Sequence, residues 1–498
     1  MFHRTALAAG AVAASVVLCV PVAASAATVG PLSLASGPSP FADCTSGLDP
    51  GSPGATNFLN AEVEPWVAVN PTNPNNVVGA FQQDRWSNGG ARGLTVASSM
   101  DGGLSWTRSF AHFSKCSGGT PANGGDYDRA SDPWLSFGPD GKLYQISLSV
   151  NAAQTISAIL TSTSADGGRR WTEPKTVQRD DSPNFFVFND KESITADPYT
   201  AGTAYAVWDR SRFPSDSSQN PGTSSAFRGD PFFSKTIDGG NTWSKPHSIL
   251  PQNQNVSTIG NQVVVLPDGT LIDVYLYFKG VGGPNQSLEG VQRSTDGGAT
   301  WSKPITITNN TVTRVRDPET GTPLRTGSDI GGGLPDIAVD PRSGNLYVVY
   351  EDNRFSGGVH NDIALSKSTD GGRSWSAPIK VNQSPSGITA FTPAVDVLPN
   401  GTVAVTYYDW RNNTPDPATL PTDQFIVVSH NGASSFDPEA RVTPNSFDTA
   451  TAPNARGFFL GDYEGLANDG SAFKSFFVQT NSGNTANRTD VFNATVNP

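Results

Sequence analysis

Ser368-Thr369-Asp370-Gly371-Gly372-Arg373-Ser374-Trp375 is one of five copies of an eight-residue pattern: Ser or Thr, any residue, Asp, Gly, Gly, two variable residues, Trp. The others are Ser99–Trp106, Ser164–Trp171, Thr236–Trp243 and Ser294–Trp301, and a sixth, decayed copy at Ser429–Phe436 has Asn431 for the Asp and Phe436 for the Trp. The third positions, 101, 166, 238, 296, 370 and 431, lie 65, 72, 58, 74 and 61 residues apart. Such self-similarity belongs to a repeat architecture in which one supersecondary unit is copied. An Asp followed by two glycines makes a tight hairpin turn, because the carboxylate accepts from the following backbone N–H groups and the glycines reach positive φ without steric cost. The Trp anchors that turn against a neighbouring sheet. Asp101, Asp166, Asp238, Asp296 and Asp370 therefore read as structural.

Working outward, each octad is preceded by two apolar strands. The first strands begin near Glu64, Asp132, Glu192, Gln262, Pro335, Pro393 and Tyr463, and the last of these is followed only by Ala472–Thr480 and Thr489–Val496. Gly numbers 51, Pro 38 and Met 2, and a 3.6-residue apolar period is nearly absent, so the chain reads as all-β with many tight turns. Six full units and a three-strand remainder leave one strand to be supplied. A strand from the N-terminal leader would complete it and remove the exposed edges.

The octads are similar to the Asp-box, or bacterial neuraminidase repeat, of the sialidase superfamily of β-propellers. The resemblance spans roughly residues 60–496 and implies a single propeller of four-stranded blades, for which the strand count favours seven blades over six. Residues 1–27, with Arg4, an apolar stretch from Ala6 to Val20 and Ala24-Ser25-Ala26, read as a secretory signal peptide. Residues 28–60 form a Pro-, Gly- and Ser-rich leader that contributes the closing strand, and 61–498 the propeller, released outside the cell as a monomer. Cys44 and Cys116 then remain as an even pair, for which an oxidising compartment implies a disulfide.

A net charge of −12 without a Lys/Arg-rich run argues against nucleic acid and anionic membrane as partners; the resemblance implies carbohydrate. In a four-stranded blade the octad sits between strands three and four, so a site is expected at the opposite face. The residues assigned to that face are rich in acid and Arg: Asp84-Arg85, Asp209-Arg210, Glu351 to Arg354, Asp409-Trp410-Arg411, Glu64, Asp128-Arg129, Asp132, Asp190-Lys191-Glu192, Asp336 and Asp462-Tyr463-Glu464. Clustered carboxyls split their pKa values into acid and base, and arginines bind a sugar carboxylate in bidentate fashion. The same ladder is also what a ring of ion pairs sealing a central channel would contain.

Family sialidases carry a Phe/Tyr-Arg-Ile-Pro segment on the first strand; here Val63-Glu64-Pro65-Trp66 stands in its place, without the Arg. The resemblance implies Tyr463 as nucleophile, Glu351 as the Glu that activates it, Asp132 as acid/base, and Arg85, Arg354 and Arg411 as substrate arginines. Glu464 joins the expected catalytic carboxyls, and Arg210, Asp190, Glu192 and Asp409 the expected substrate-binding set. Trp86, Trp208 and Trp410 are candidate sugar-stacking platforms. The expected reaction is a sialidase-like glycoside hydrolysis of an acidic glycan, without a cofactor. The alternative is a non-catalytic propeller that binds glycan or protein. Asp126, Asp128 and Asp132 offer oxygen ligands that would suit calcium, set against ordinary solvated acids, and the five histidines lack zinc spacing.

Overall fold

Seven antiparallel units follow one another in the computed structural model, which describes residues 1, 25–47, 54–182, 187–213, 227–253, 255–279, 286–327 and 333–498. The expected signal segment lies, but for its ends, outside the described residues. Unit 1 comprises Glu62–Val69, Val77–Arg85, Ala91–Ser99 and Thr107–Ser109; unit 2 comprises Arg129–Phe137, Leu143–Val150, Ile156–Ser164 and Lys175–Asp181. Unit 3 begins with Val187–Ala196, unit 4 with Val256–Val265, unit 5 with Asp336–Val339 and unit 6 with Ala390–Val397. Unit 7 has Gly465–Asn468, Phe473–Thr480 and Thr489–Asn497, and the leader strands Thr28–Val29 and Ser33–Leu34 pair antiparallel with the last of these. Helical structure among the described residues is confined to short 3₁₀ turns such as Lys115–Ser117. The protein is all-β.

The first strands of successive units are stitched together. Trp66 Nε1 donates to the Leu135 carbonyl at 3.1 Å, Ala196 N to Ser136 Oγ at 2.9 Å, and Thr195 Oγ1 to the Val263 carbonyl at 2.6 Å. Gln262 Nε2 reaches the Pro335 carbonyl at 2.9 Å, Val395 N reaches Asp336 Oδ2 at 2.8 Å, and Asn468 Nδ2 reaches Asp396 Oδ2 at 2.7 Å. Gly465 of unit 7 approaches unit 1 so closely that a Cβ there would lie 2.8 Å from Val67 N.

The octads explain their own composition. In each of the five, the Ser or Thr hydroxyl donates to the Asp Oδ1 and accepts from the second Gly N–H; in the fifth copy these distances are both 2.8 Å. The Asp Oδ1 also accepts the N–H four residues on, at 2.9 Å for Ser374. Both glycines have positive φ, and a Cβ on Gly298 would sit 2.4 Å from the Phe233 ring. Each Trp packs back on the preceding unit: Trp301 against Phe233 with centroids 5.6 Å apart and, across the termini, Trp106 of unit 1 against Phe476 of unit 7 at 5.7 Å. In the decayed copy Asn431 Oδ1 makes the same bonds to Ser429 Oγ and Ser435 N, so the turn needs the oxygen and not the charge.

Cys44 and Cys116 are bonded across a separation of 72 residues, a loop whose closure is worth about 4 kcal/mol in a chain-entropy treatment. The bridge ties the leader beside the first unit, where Arg92 Nη1 donates to the Phe41 and Ala42 carbonyls.

The expected starts of most first strands fall two to six residues late, since pairing continues through a β-bulge. Register shifts lie between Val63 and Trp66, Ser131 and Trp134, Asp190 and Ser193, Ile259 and Gln262, and Phe391 and Ala394. At equivalent places inside them sit Glu64 (φ 53°), Asp132 (51°), Lys191 (48°), Gly260 (69°) and Thr392 (50°). Left-handed backbone at four non-glycine residues is uncommon, and bulges re-aim side chains next to functional sites.

Ser368→Ala leaves the Gly372 N–H without its buried acceptor and is expected to cost about 1–2 kcal/mol in chemical denaturation, whereas Asp370→Asn, which copies Asn431, is expected to be near neutral at pH 7. Hydrogen bonds, that from Ser374 Oγ foremost, hold the Asp370 carboxyl down to about 2. Its stabilisation is therefore present above pH ~4 and lost as pH falls through ~2, and Asp370→Asn should flatten that acid limb.

Candidate active site

The bulges of the first three units turn Glu64, Asp132 and Lys191 toward one another. Lys191 Nζ lies 3.0 Å from Glu64 Oε1, 3.4 Å from Asp132 Oδ1 and 2.7 Å from Asp462 Oδ2. Asp462 also takes Arg325 Nη2 at 2.9 Å, and Arg85 Nη1 stands 4.0 Å from Glu64 Oε2. Both guanidinium groups lie over the Phe459 ring, at 4.6 Å for Arg85 and 4.4 Å for Arg325. Gln82 Nε2 holds Glu64 from behind and Ser131 Oγ at 3.1 Å.

Burial in this group splits the titration of its acids. Glu64 is pushed up to about 8 by burial, against the pull of Lys191. Asp190 is raised by burial, with Asp462 and Glu64 adding to the rise and Lys191 and Arg325 opposing it. Asp462 goes the other way: its two cations, Arg325 foremost, overcome burial and hold it well below the usual carboxylate range. Lys191 is raised well above its ordinary value because four carboxylates surround it. Acids driven apart in this way are the raw material of acid–base chemistry.

Two cavities open on the group. One of about 110 Å³ is lined by Arg85, Asn88, Asp132 and Gln154; the other, of about 390 Å³, by Arg314, Arg316, Leu334 and Asp462. Asp190, Lys191, Arg325 and Arg456 border both. A third, tighter space runs among the first strands, with Trp66, Trp134, Glu192, Glu351, Tyr463 and Glu464 on its wall.

Of the residues singled out from the sequence, Arg85, Asp132 and Asp190 meet at this group. Tyr463 is beside it, wedged against Trp134 at 5.3 Å and Trp66 at 6.2 Å with Lys191 Nζ 5.3 Å above its ring. Its hydroxyl donates toward the Pro133 carbonyl at 3.4 Å, not to a base, and burial with four nearby carboxylates raises it well above its ordinary value. Glu351 accepts from Asn361 Nδ2 at 2.8 Å and Thr392 N at 3.1 Å, so the expected Tyr463–Glu351 nucleophile pair is corrected: neither is poised on the other. Glu464 is buried on Gln424 Nε2 at 2.6 Å, and Glu192 is buried with both carboxyl oxygens unpartnered; burial raises both.

Three expected substrate arginines are also corrected. Residues i and i+2 of a strand share a face, so an Asp-x-Arg ending closes on itself: Arg354 takes Asp352 at 2.7 Å, and Arg411 takes Asp409 at 2.5 Å with Glu439 on its far side. Asp409 is thereby covered, with Ser384 Oγ donating to it at 2.6 Å. Arg210 turns outward to Asp180 at 2.5 Å. Trp86, Trp208 and Trp410 are buried and offer no stacking face. The calcium ligands suggested at Asp126, Asp128 and Asp132 do not converge: Lys115 Nζ sits 2.8 Å from Asp128 and Lys191 beside Asp132. Among the described residues no group of three or more His, Cys, Asp or Glu is arranged to hold a metal.

Sequence reasoning missed Arg314, Arg316, Arg325 and Arg456. The first three ride on the segment between units 4 and 5, and Arg325 is fixed there because Leu324–Arg325 pairs parallel with Phe458–Phe459. The available signal was length, since the octads at 296 and 370 are the most widely spaced, 74 residues apart.

Lys191→Met would leave Glu64, Asp132 and Asp462 buried without their ammonium. We expect a loss of about 3–5 kcal/mol at pH 8, shrinking at pH 5 as the orphaned carboxyls take up protons, read from urea unfolding at both pH values.

Residues 232–334 match the model of the BNR repeat-like domain. A xyloglucanase of Paenibacillus sp is 32% identical over 197 residues, which is 36% of this chain and 17% of that protein, so the chain spans only a small part of that relative. Among solved structures, a Hadza microbial sialidase superposes with a TM-score of 0.47 at 15% identity, covering 85% of this chain and 74% of that one. An α-L-arabinanase of Penicillium chrysogenum, complexed with arabinobiose, gives 0.47 at 11%, covering 94% and 98%. The α-L-arabinofuranosidase of Fusarium graminearum gives 0.46 at 16%, covering 70% and 88%. By its octads and by the matched segment, the chain carries BNR-type repeats.

Proposed function

We propose that this chain is a secreted, sialidase-like glycoside hydrolase that works without a cofactor on an acidic glycan. On this reading the seven units close as seven four-stranded blades. Residues 1–27 are a secretory signal, 28–60 a leader that contributes the closing strand, and 61–498 a monomeric propeller. The leader strand on Thr489–Asn497 and the packing of Trp106 on Phe476 support closure.

The observation that carries the reading is the pair Asp190 and Asp462, one carboxyl raised and one depressed, facing the same 390 Å³ cavity beside Arg325. Asp190, protonated more readily than an ordinary carboxyl, donates its proton to the glycosidic oxygen as the bond to the anomeric carbon breaks. Asp462 stays ionised and faces the positive charge that develops on the sugar ring. A water then adds to the anomeric carbon, and its proton returns to Asp190. Arg325 and Arg85 supply the counter-charge for the sugar's acidic group.

The test is product release from a panel of chromogenic glycosides and acidic polysaccharides, with a glycan array reporting binding. Asp190→Asn is expected to lower kcat at least 100-fold while binding is kept. Binding by wild type with no turnover on any substrate would favour a glycan-binding protein instead.

A further inference from the structure

Asp190 does not sit at the end of a pocket; it stands in the wall between two. On one side lies the 110 Å³ cavity with Arg85, Asn88 and Gln154, on the other the 390 Å³ cavity with Arg314 and Arg316, and Arg325 and Arg456 border both. A cavity on each side of the acid is what a glycan needs when sugar units continue past the bond being cut. A ligand that ends at that bond would need only one.

The charges on the two sides agree in sign. Arg85 is buried, yet its Nε has no hydrogen-bond partner, and the buried Nη1 of Arg325 has none either. Arg314 and Arg316 are exposed and have no acidic partner among the described residues, and the Arg316 side chain donates to the Gly321 carbonyl at 3.0 Å. These guanidinium groups stand out in a chain whose net charge is −12. Elsewhere at the strand ends Arg210, Arg354 and Arg411 are each matched by a carboxylate within 2.7 Å. The walls of the two cavities flanking Asp190 hold more cations than acids: Arg85, Lys191, Arg314, Arg316, Arg325 and Arg456 against Asp132, Asp190 and Asp462.

We infer that the ligand is a polyanionic glycan chain bound across Asp190, with acidic sugar units on both sides, so that an internal bond rather than a terminal cap lies at the acid. This rests on the proposed role of Asp190 for the cleavage step but not for the binding. Recognition on the outer side falls to Arg314 and Arg316, and on the inner side to Arg85 and Arg325.

The experiment uses the full chain and three acidic polymers, polygalacturonate, alginate and hyaluronan, each beside its methyl-esterified form, with affinity electrophoresis and chromatography of the products. At least one acidic polymer should bind at least tenfold more tightly than its neutral ester and than its own monosaccharide. The charge reversal Arg314→Glu with Arg316→Glu, both at exposed positions, should collapse that polymer-over-monosaccharide preference. Internal cleavage should yield oligosaccharides before monosaccharides. Equal binding of acid and ester forms, affinity that does not grow with chain length, or a preference unmoved by the double variant would overturn the inference. A polymer bound with this preference but not cut, by wild type as by Asp190→Asn, would leave the inference standing and overturn the hydrolytic reading alone.

Discussion

One ammonium group gathers the centre of this molecule. Lys191 Nζ holds Glu64 from unit 1, Asp132 from unit 2 and Asp462 from the approach to unit 7, so a single cation ties together residues almost 400 positions apart. Without it, three buried carboxylates would face one another in a poorly solvated space. With it, they are close but unequal. Asp462 is shared with Arg325 and stays ionised, while Glu64 and Asp190 carry more burial than compensation and hold protons longer. The asymmetry thus follows from Asp462 having Arg325 as well as the lysine.

The lysine can reach them because of backbone, not side-chain, geometry. The left-handed residue in each bulge occupies an equivalent place in units 1, 2, 3, 4 and 6, and what differs is the residue occupying it: Glu64, Asp132, Lys191, Gly260 and Thr392. Repetition supplies the turn of the chain, and divergence at one position per unit supplies Glu64, Asp132 and Lys191 to the charged group. The octads show the opposite pattern. There the residue types are kept and the geometry follows, down to Asn431 taking over the role of Asp.

That contrast also explains what could be read in the sequence. The octads announce an all-β repeat protein because their chemistry is local: the Ser or Thr and Asp side chains of each accept backbone N–H groups within four residues. Most of the charged residues that meet at the site were visible as a class, since they end or begin strands on one face. Their pairing was not. Arg354 and Arg411 end strands as Arg85 does, yet their i+2 spacing folds them back on Asp352 and Asp409, while Arg85 follows its Asp directly and reaches toward Glu64. Arg325 was beyond reach because its place depends on a two-residue parallel pairing with Phe458–Phe459, over 130 residues away.

The pairing of Thr28–Val29 with Val496–Asn497 has a consequence for the order in which the molecule can be made. A chain leaving the ribosome presents Thr28–Val29 long before its partner, so unit 7 cannot be completed until Thr489–Asn497 has been made. Units 1 to 6 draw their strands from contiguous sequence, whereas completing unit 7 joins Thr28 to Asn497, a pairing of very high sequence separation and the kind of contact that slows folding. Until then both the leader and the edge of Thr489–Asn497 stand open to pairing with another molecule. In the folded chain the Cys44–Cys116 bond ties the leader beside unit 1 independently of its pairing with Thr489–Asn497.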